Sequence, residues 1–344
     1  MPTMKAFQLV EWAQPPQFVD VDVPRPGRDE VLIKVAGVGL CHSDLHFLEA
    51  PAGVFPYELP FTLGHESAGW VEALGEGVDD LAPGDAVAVA GVHSCGRCSY
   101  CLRGHDNYCP RGSTGRGYGE DGGLAEYLVV PRRELVPLMT LDPRRVGPLT
   151  DAGATSYHAI KKALPKLIPG STAVVIGAGG LGGYAVQLLR RLGSVQVVAV
   201  DVEEHRRATA RDLGAHHTLA SDDATVGAVR DLTGGEGAEA VFDFVGIDST
   251  MRTALGCART LGTVGFVGAG GGQVKVGWGS VPLECDVFVP MAATIADLHE
   301  VIAIAEAGEL RVDVELFPFE QAAEAYERFH RGDLRSRAVV TPNG

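Results

Sequence analysis

Residues 173–183 read Ala-Val-Val-Ile-Gly-Ala-Gly-Gly-Leu-Gly-Gly. Four apolar residues, three of them β-branched, run up to Gly177, and a helical pattern follows to Arg190, so the stretch predicts strand, tight turn and helix. Gly177, Gly179 and Gly182 form a G-x-G-x-x-G motif, with Gly180 and Leu181 inside it. Standing alone the motif is weak in a chain so rich in glycine. Its position between strand and helix gives it weight, because the backbone N–H groups and the helix N-terminus can face a pyrophosphate. Asp201 lies 19 residues after Gly182, at the end of the next apolar strand, where a carboxylate can accept hydrogen bonds from an adenosine ribose. The same carboxylate opposes a 2′-phosphate, since two unit charges about 4 Å apart repel by about 4 kcal/mol at an effective dielectric of about 20. NAD is therefore favoured over NADP. Arg206 and Arg207 pull the other way if either reaches a phosphate; both also fit a solvated helix face.

Outward from this unit the pattern repeats. Strand candidates at Ala173–Ile176, Val195–Val200, His217–Leu219, Ala240–Phe244, Thr263–Val267 and Val287–Val289 alternate with helical segments, the signature of a doubly wound parallel sheet. Residues 1 to about 150 differ. Short strands are expected there at Lys5–Val10, Phe18–Val23, Val31–Val38, Ser67–Leu74, Ala86–Ala90 and Ala125–Val130, punctuated by Gly and Pro, which suggests a β-rich, partly closed barrel. Beyond Pro290 come helix candidates at Ala296–Ala307 and Glu320–Arg331 and a last strand at Ala338–Val340. The expected organisation is an α/β chain whose first domain combines residues 1–152 with 291–344, around a nucleotide-binding domain at 153–290.

The 344 residues suit two such domains. A hydrophobic fraction of 46% and a charged fraction of 21% are ordinary for a globular chain, which excludes disorder. The formal charge of -15 repels phosphate backbones and anionic lipid, so nucleic acid and membrane surfaces are not expected as partners. Pro169 to Leu189 is uncharged and long enough to span a bilayer, but its glycines and its strand-turn-helix pattern argue against that. Met1 to Pro16 lacks the continuous apolar core of a secretory signal, and a cytoplasmic location is expected.

Seven cysteines are present, four of them between Cys95 and Cys109. Cys95, Cys98, Cys101 and Cys109 offer four soft thiolates, the donor set of a closed, structural tetrahedral zinc. An iron–sulfur cluster is the alternative, because the C-x2-C-x2-C spacing followed by Cys109-Pro110 echoes ferredoxins, although the last gap is long. A second, dispersed set comprises Cys41, His65, Glu66 and Asp151. One thiolate, one imidazole and one carboxylate leave zinc a fourth, open position, as catalysis requires; taken singly, each residue also fits a core or cap role.

At these residues the chain closely resembles the zinc-dependent medium-chain alcohol dehydrogenases, and most of all the bacterial NAD-dependent secondary-alcohol dehydrogenases. The likeness rests on Gly37 to Asp44, Gly64-His65-Glu66, the four-cysteine segment, Asp151 to Thr155, the glycine motif and Ser336 to Val340. It implies a GroES-like catalytic domain, a Rossmann domain and an active site between them, where hydride passes between a secondary or primary alcohol, or the ketone or aldehyde, and NAD. It also implies two zinc ions per subunit. Cys41, His65 and Asp151 match the catalytic ligands, with Glu66 nearby, and Asp151 stands where many relatives have a second cysteine. Asp44 matches the acid that orients the ligand histidine, and Ser43 and His46 match the proton relay. His42, Thr155, Arg206, Val245, Val267 and Arg337 match cofactor-contacting positions, beside the glycines and Asp201. Phe47, Phe55, Tyr118 and Trp278 are candidate pocket walls for medium-length or aryl-bearing alcohols, with core packing as the alternative. A homo-oligomer is expected, a tetramer ahead of a dimer. A polyol, amino-alcohol or aldehyde-specific dehydrogenase is the alternative activity, and a non-catalytic nucleotide-binding protein the alternative outside enzymes.

Overall fold

The strand Glu30–Gly39 is buried along almost its whole length because both of its edges are paired. Glu66–Leu74 runs antiparallel along one edge. Tyr127–Pro131 covers the first half of the other, and Arg337–Thr341, near the C-terminus, pairs with Val38 and Gly39. Two register shifts, at Leu32/Ile33 and Val35/Gly37, bend the pairing as bulges do. Ala86–Val89, Leu135–Pro137 and Val314–Pro318 complete this seven-stranded sheet. A smaller sheet orders Gln17–Asp22, Thr3–Leu9 and Phe61–Thr62. Phe7, Leu9, Ile33, Leu63, Phe317 and Tyr326 pack together in the core, so apolar residues from both chain ends share it.

The computed structural model describes residues 2–112 and 115–344. This β-rich part is one of two units, Met1–Ala154 with Ala292–Gly344; the other is Thr155–Met291. In the second unit six parallel strands lie in the order His217–Ala220, Gln196–Asp201, Thr172–Ile176, Ala238–Asp243, Ala258–Phe266, Asp286–Phe288. Thr172–Ile176 is buried at every residue, as expected of a central parallel strand covered on both faces. The helices Gly180–Leu192, Glu204–Asp212, Thr225–Leu232 and Asp248–Cys257 alternate with the strands. The fold is α/β, a GroES-like β-rich domain and a Rossmann domain.

Two of the elements that the sequence did not lead one to expect are Val314–Pro318 and His42–Glu49. Val314–Pro318 is a strand paired parallel to Arg337–Thr341; with Glu315 and Pro318 and no clean alternation, its pairing is set by a partner 23 residues away. His42–Glu49 is a helix too short and polar for its period to show; its first turn is closed by Asp44, whose Oδ2 accepts from the Cys41 N–H at 3.1 Å.

The four-cysteine segment is tied to the barrel through Glu134, which is fully buried. Its Oε1 accepts from the Ser94 N–H at 2.9 Å, the Arg116 guanidinium lies 2.6 Å from Oε2, and His93 Nδ1 lies 3.4 Å from Oε1. Burial alone would raise the Glu134 pKa, but His93, Arg116 and the Ser94 amide outweigh it and hold the carboxyl below its ordinary value. Glu134→Ala strands the Arg116 charge and is expected to cost about 3 kcal/mol, read as a lower urea midpoint for the β-rich unit. A depressed folded-state pKa stabilises fully above the ordinary carboxylate range and is lost as pH falls through the depressed value. The gap between wild type and Glu134→Ala is therefore expected to close in acid, and a gap constant with pH would contradict this account.

Candidate metal centres and nucleotide site

Cys41 precedes the helix His42–Glu49, His65 and Glu66 sit at the start of the strand Glu66–Leu74, and Asp151 follows the turn Gly147–Leu149. These distant segments bring one donor atom each of Cys41, His65, Glu66 and Asp151 within 4.8 Å of one another. Cys41 Sγ lies 3.5 Å from Asp151 Oδ2, and His65 Nε2 lies 3.6 Å from the same oxygen. Ligands about 2.0–2.3 Å from a tetrahedral zinc stand roughly 3.3–3.8 Å apart, so these separations fit the metal. Burial, then the Asp151 charge, push the Cys41 thiol up. Burial also lifts the Glu66 carboxyl to about 7 despite the neighbouring Arg337 guanidinium. Metal binding requires these donors to be deprotonated, so it would be coupled to release of their protons.

Around this set, Asp44 is fully buried, with Oδ1 3.1 Å from His65 Nδ1. Ser43 Oγ lies 3.7 Å from Cys41 Sγ. His46 lies exposed in the last turn of the same helix. Arg337 pairs with Glu66, and His42 is exposed with its ring edge-on to Phe329 at 4.7 Å. Phe47, Phe55 and Tyr118 form one aromatic group, Phe47 lying 4.9 Å from Phe55 and 5.8 Å from Tyr118. Tyr118 stands edge-on to the His65 ring at 5.7 Å. Trp278 does not join such a wall: it is 97% exposed, on a glycine-bounded turn where no core reaches it.

The second centre is compact. Cys98 Sγ lies 3.4 Å from Cys101 Sγ and 3.9 Å from Cys109 Sγ, and one sulfur from each of the four cysteines falls within 4.8 Å. The Cys101 N–H points at Cys98 Sγ and the Cys95 N–H at Cys109 Sγ, as backbone donors do around thiolates. Hydrogen bonding, led by the Arg97 amide, draws the Cys95 pKa down to about 6, so this thiol is already inclined to ionise.

In the Rossmann unit, the glycine motif joins Thr172–Ile176 to Gly180–Leu192. Gly177 has φ +85°, and a Cβ on Gly182 would fall 1.9 Å from Gly177 O, so the turn requires both glycines. Leu181 is held by Ser156, whose Oγ donates to its carbonyl at 2.9 Å. Asp201 is buried; Oδ2 accepts from the Ala178 N–H at 2.8 Å and Oδ1 from the Glu203 N–H at 2.9 Å. Each oxygen keeps a second lone pair for a ligand. Arg206 Nη1 lies 4.0 Å from Asp201 Oδ2, whereas Arg207 donates to the Asp201 and Val202 carbonyls and pairs with Glu204. Gly179 and Gly180 flank the helix start. Val245 packs near Gly177, the Val267 N–H donates to the Asp243 carbonyl at 2.8 Å, and Thr155 is buried in the helix Ala152–Ala163.

Comparison with known proteins places these features. Residues 27–140 match the alcohol dehydrogenase GroES-like domain, and residues 180–305 match the zinc-binding dehydrogenase domain. An NAD-dependent alcohol dehydrogenase of Sulfurisphaera tokodaii is 34% identical over 352 residues, covering 98% of this chain and 100% of that protein. The alcohol dehydrogenase of Aeropyrum pernix superposes with a TM-score of 0.90 at 34% identity, over 98% of this chain and 100% of that one. An acetophenone reductase of Geotrichum candidum, solved with NAD, superposes with a TM-score of 0.87 at 32% identity, over 99% and 98% of the two chains.

Proposed function

We propose that this chain, which belongs to the zinc-dependent medium-chain alcohol dehydrogenase family, moves hydride between a secondary or primary alcohol and NAD, secondary and aryl-bearing alcohols being preferred. The observation that carries the proposal is the convergence of Cys41, His65 and Asp151, with Glu66, on one point from three separate segments. When bound, zinc there supplies a Lewis acid for the substrate oxygen and NAD supplies the hydride acceptor. Cys41, His65 and Asp151 hold the metal, and Glu66, anchored by Arg337, stands ready as a further ligand. Cys95, Cys98, Cys101 and Cys109 hold a second, structural zinc.

Ser43 Oγ is the first acceptor of the alcohol proton, and the exposed His46 releases it to solvent. The cofactor-binding set comprises the glycine motif, Asp201, Arg206, Val245, Val267 and Thr155 from the Rossmann unit and His42 and Arg337 from the catalytic unit. The aromatic group of Phe47, Phe55 and Tyr118 beside His65 supports an apolar, aryl-tolerant pocket, and the acetophenone reductase relative agrees.

The chain is proposed to act as a homo-oligomer, a tetramer ahead of a dimer. Asp286–Phe288 is the edge strand of the Rossmann sheet, with Leu283, Val289 and Met291 exposed around it. Such an edge suits a second copy. No helix among the described residues is long and apolar enough to cross a membrane. Free cysteines that double as metal ligands suit a reducing compartment, and we assign the cytoplasm.

Purified protein with 1-phenylethanol and NAD is expected to form NADH. Cys41→Ser should lower kcat/KM by roughly a thousandfold, the equivalent of about 4 kcal/mol of lost Lewis-acid assistance. Turnover persisting in metal-depleted protein would contradict the zinc chemistry. Asp201→Gly removes the charge that opposes a 2′-phosphate and should raise the NADP-to-NAD ratio of kcat/KM at least about tenfold; an unchanged ratio would remove Asp201 from the cofactor site.

A further inference from the structure

The helix Ala322–Arg331 turns an apolar face inward, with Ala322 and Ala325 fully buried. Tyr326 lies on that face, 5% exposed, its ring stacked against Phe7 at 6.1 Å. A phenylalanine would fill this space. A buried hydroxyl left without a hydrogen bond costs about 1–3 kcal/mol, and the Tyr326 hydroxyl has no well-formed bond in the structure. Asp44 Oδ1 and His65 Nδ1, which lie 3.1 Å apart, are among the other buried atoms in that condition.

These three atoms belong together. The groups that face the Tyr326 hydroxyl are the Asp44 carboxylate, within hydrogen-bonding reach, and beyond it Cys41 and Glu66. A phenol O–H can donate, and an ionised carboxylate can only accept. The direction of the bond is thereby set. Asp44 Oδ2 accepts from the Cys41 N–H, whereas Oδ1 accepts no bond in the structure and is the oxygen nearest His65 Nδ1.

We propose that Tyr326 is a positioning residue of the catalytic metal site, donating its O–H to Asp44 Oδ1 so that Asp44 holds the His65 ring with Nε2 turned toward Cys41 and Asp151. The proposal rests on the assignment of Cys41, His65 and Asp151 as zinc ligands. A side chain from the C-terminal helix thus fixes a ligand at residue 65, without touching substrate or cofactor. Partners of this kind change metal affinity by about 10–100-fold when removed.

The test is the release of zinc from the holoenzyme to an excess of a chromophoric chelator, comparing wild type with Tyr326→Phe, which keeps the ring and loses the hydroxyl. Wild type is expected to release one zinc per chain in a phase that Cys41→Ser lacks. In Tyr326→Phe that phase should be about tenfold faster, while release from the four-cysteine centre stays within twofold. Cobalt exchanged into the same site should show a shifted visible ligand-field spectrum in Tyr326→Phe, a readout that loosened packing of a distant helix would not move. Unchanged release together with an unchanged cobalt spectrum would overturn the role of Tyr326 while leaving the ligand assignment intact. Absence of the Cys41-dependent zinc from wild type would overturn both. A lower thermal midpoint with equal acceleration at both centres would show a merely structural tyrosine and would likewise overturn the proposal.

Discussion

Three acidic donors brought to one point are the constraint on which the rest of this structure depends. Cys41 Sγ and Asp151 Oδ2 stand 3.5 Å apart, and were both ionised they would repel by about 5 kcal/mol at an effective dielectric of about 20. Glu66, fully buried, adds a third. The protein answers in part with its own cation, since Arg337 pairs with Glu66. Under the proposed assignment a divalent metal would meet the remainder, and the buried Asp44 behind His65 would then serve as a support for a ligand in place of one more repulsive charge.

The β-rich unit is arranged to hold those donors. Glu66 stands directly opposite Gly39 in the central pairing of Glu30–Gly39 with Glu66–Leu74, so Cys41, two residues past the strand end, is brought beside His65. Arg337 begins the strand that pairs with the other edge of the same strand. Four of the groups that matter to the site, Cys41, His65, Glu66 and Arg337, are therefore placed by the register of one sheet. A slip of one residue would turn every side chain to the opposite face. The C-terminal segment is part of the site's frame for this reason.

Much of this was legible in the sequence where the chemistry is local. The glycine motif and the four cysteines lie within short windows, and spacing alone carries their geometry to Gly177–Gly182 and Cys95–Cys109. The dispersed centre is different. No periodicity links Cys41, His65 and Asp151; their residue types suggested a donor set, each also fitting a core or cap role, and the family resemblance gave that set its weight before the fold did. Tyr326 and the Arg116–Glu134 pair left no signal, because a buried tyrosine or glutamate looks like any other until its long-range partner is known. Trp278 misled because an aromatic residue is expected to be covered, whereas here it lies 97% exposed. The glycines at 268–272 had no residue-level meaning in the sequence; in the structure they pass close to Val245–Asp248, and a Cβ on Gly268 would come 2.4 Å from the Val245 carbonyl carbon.

In the Rossmann unit the proposed determinant of cofactor specificity is the buried acid Asp201. Asp201 is held by two backbone N–H groups, so its charge stays fixed at the end of its strand, and Arg206 sits near enough to temper it. The acid favours a ribose and the arginine a phosphate, and the shorter, buried contacts belong to the acid. The central claim nonetheless concerns the metal. Anomalous X-ray scattering from crystals of the purified protein, recorded on either side of the zinc absorption edge, tests it most directly. The account predicts two peaks per chain, one enclosed by Cys41, His65 and Asp151 and one by Cys95, Cys98, Cys101 and Cys109; a single peak at the four cysteines, with none beside Cys41, would contradict it.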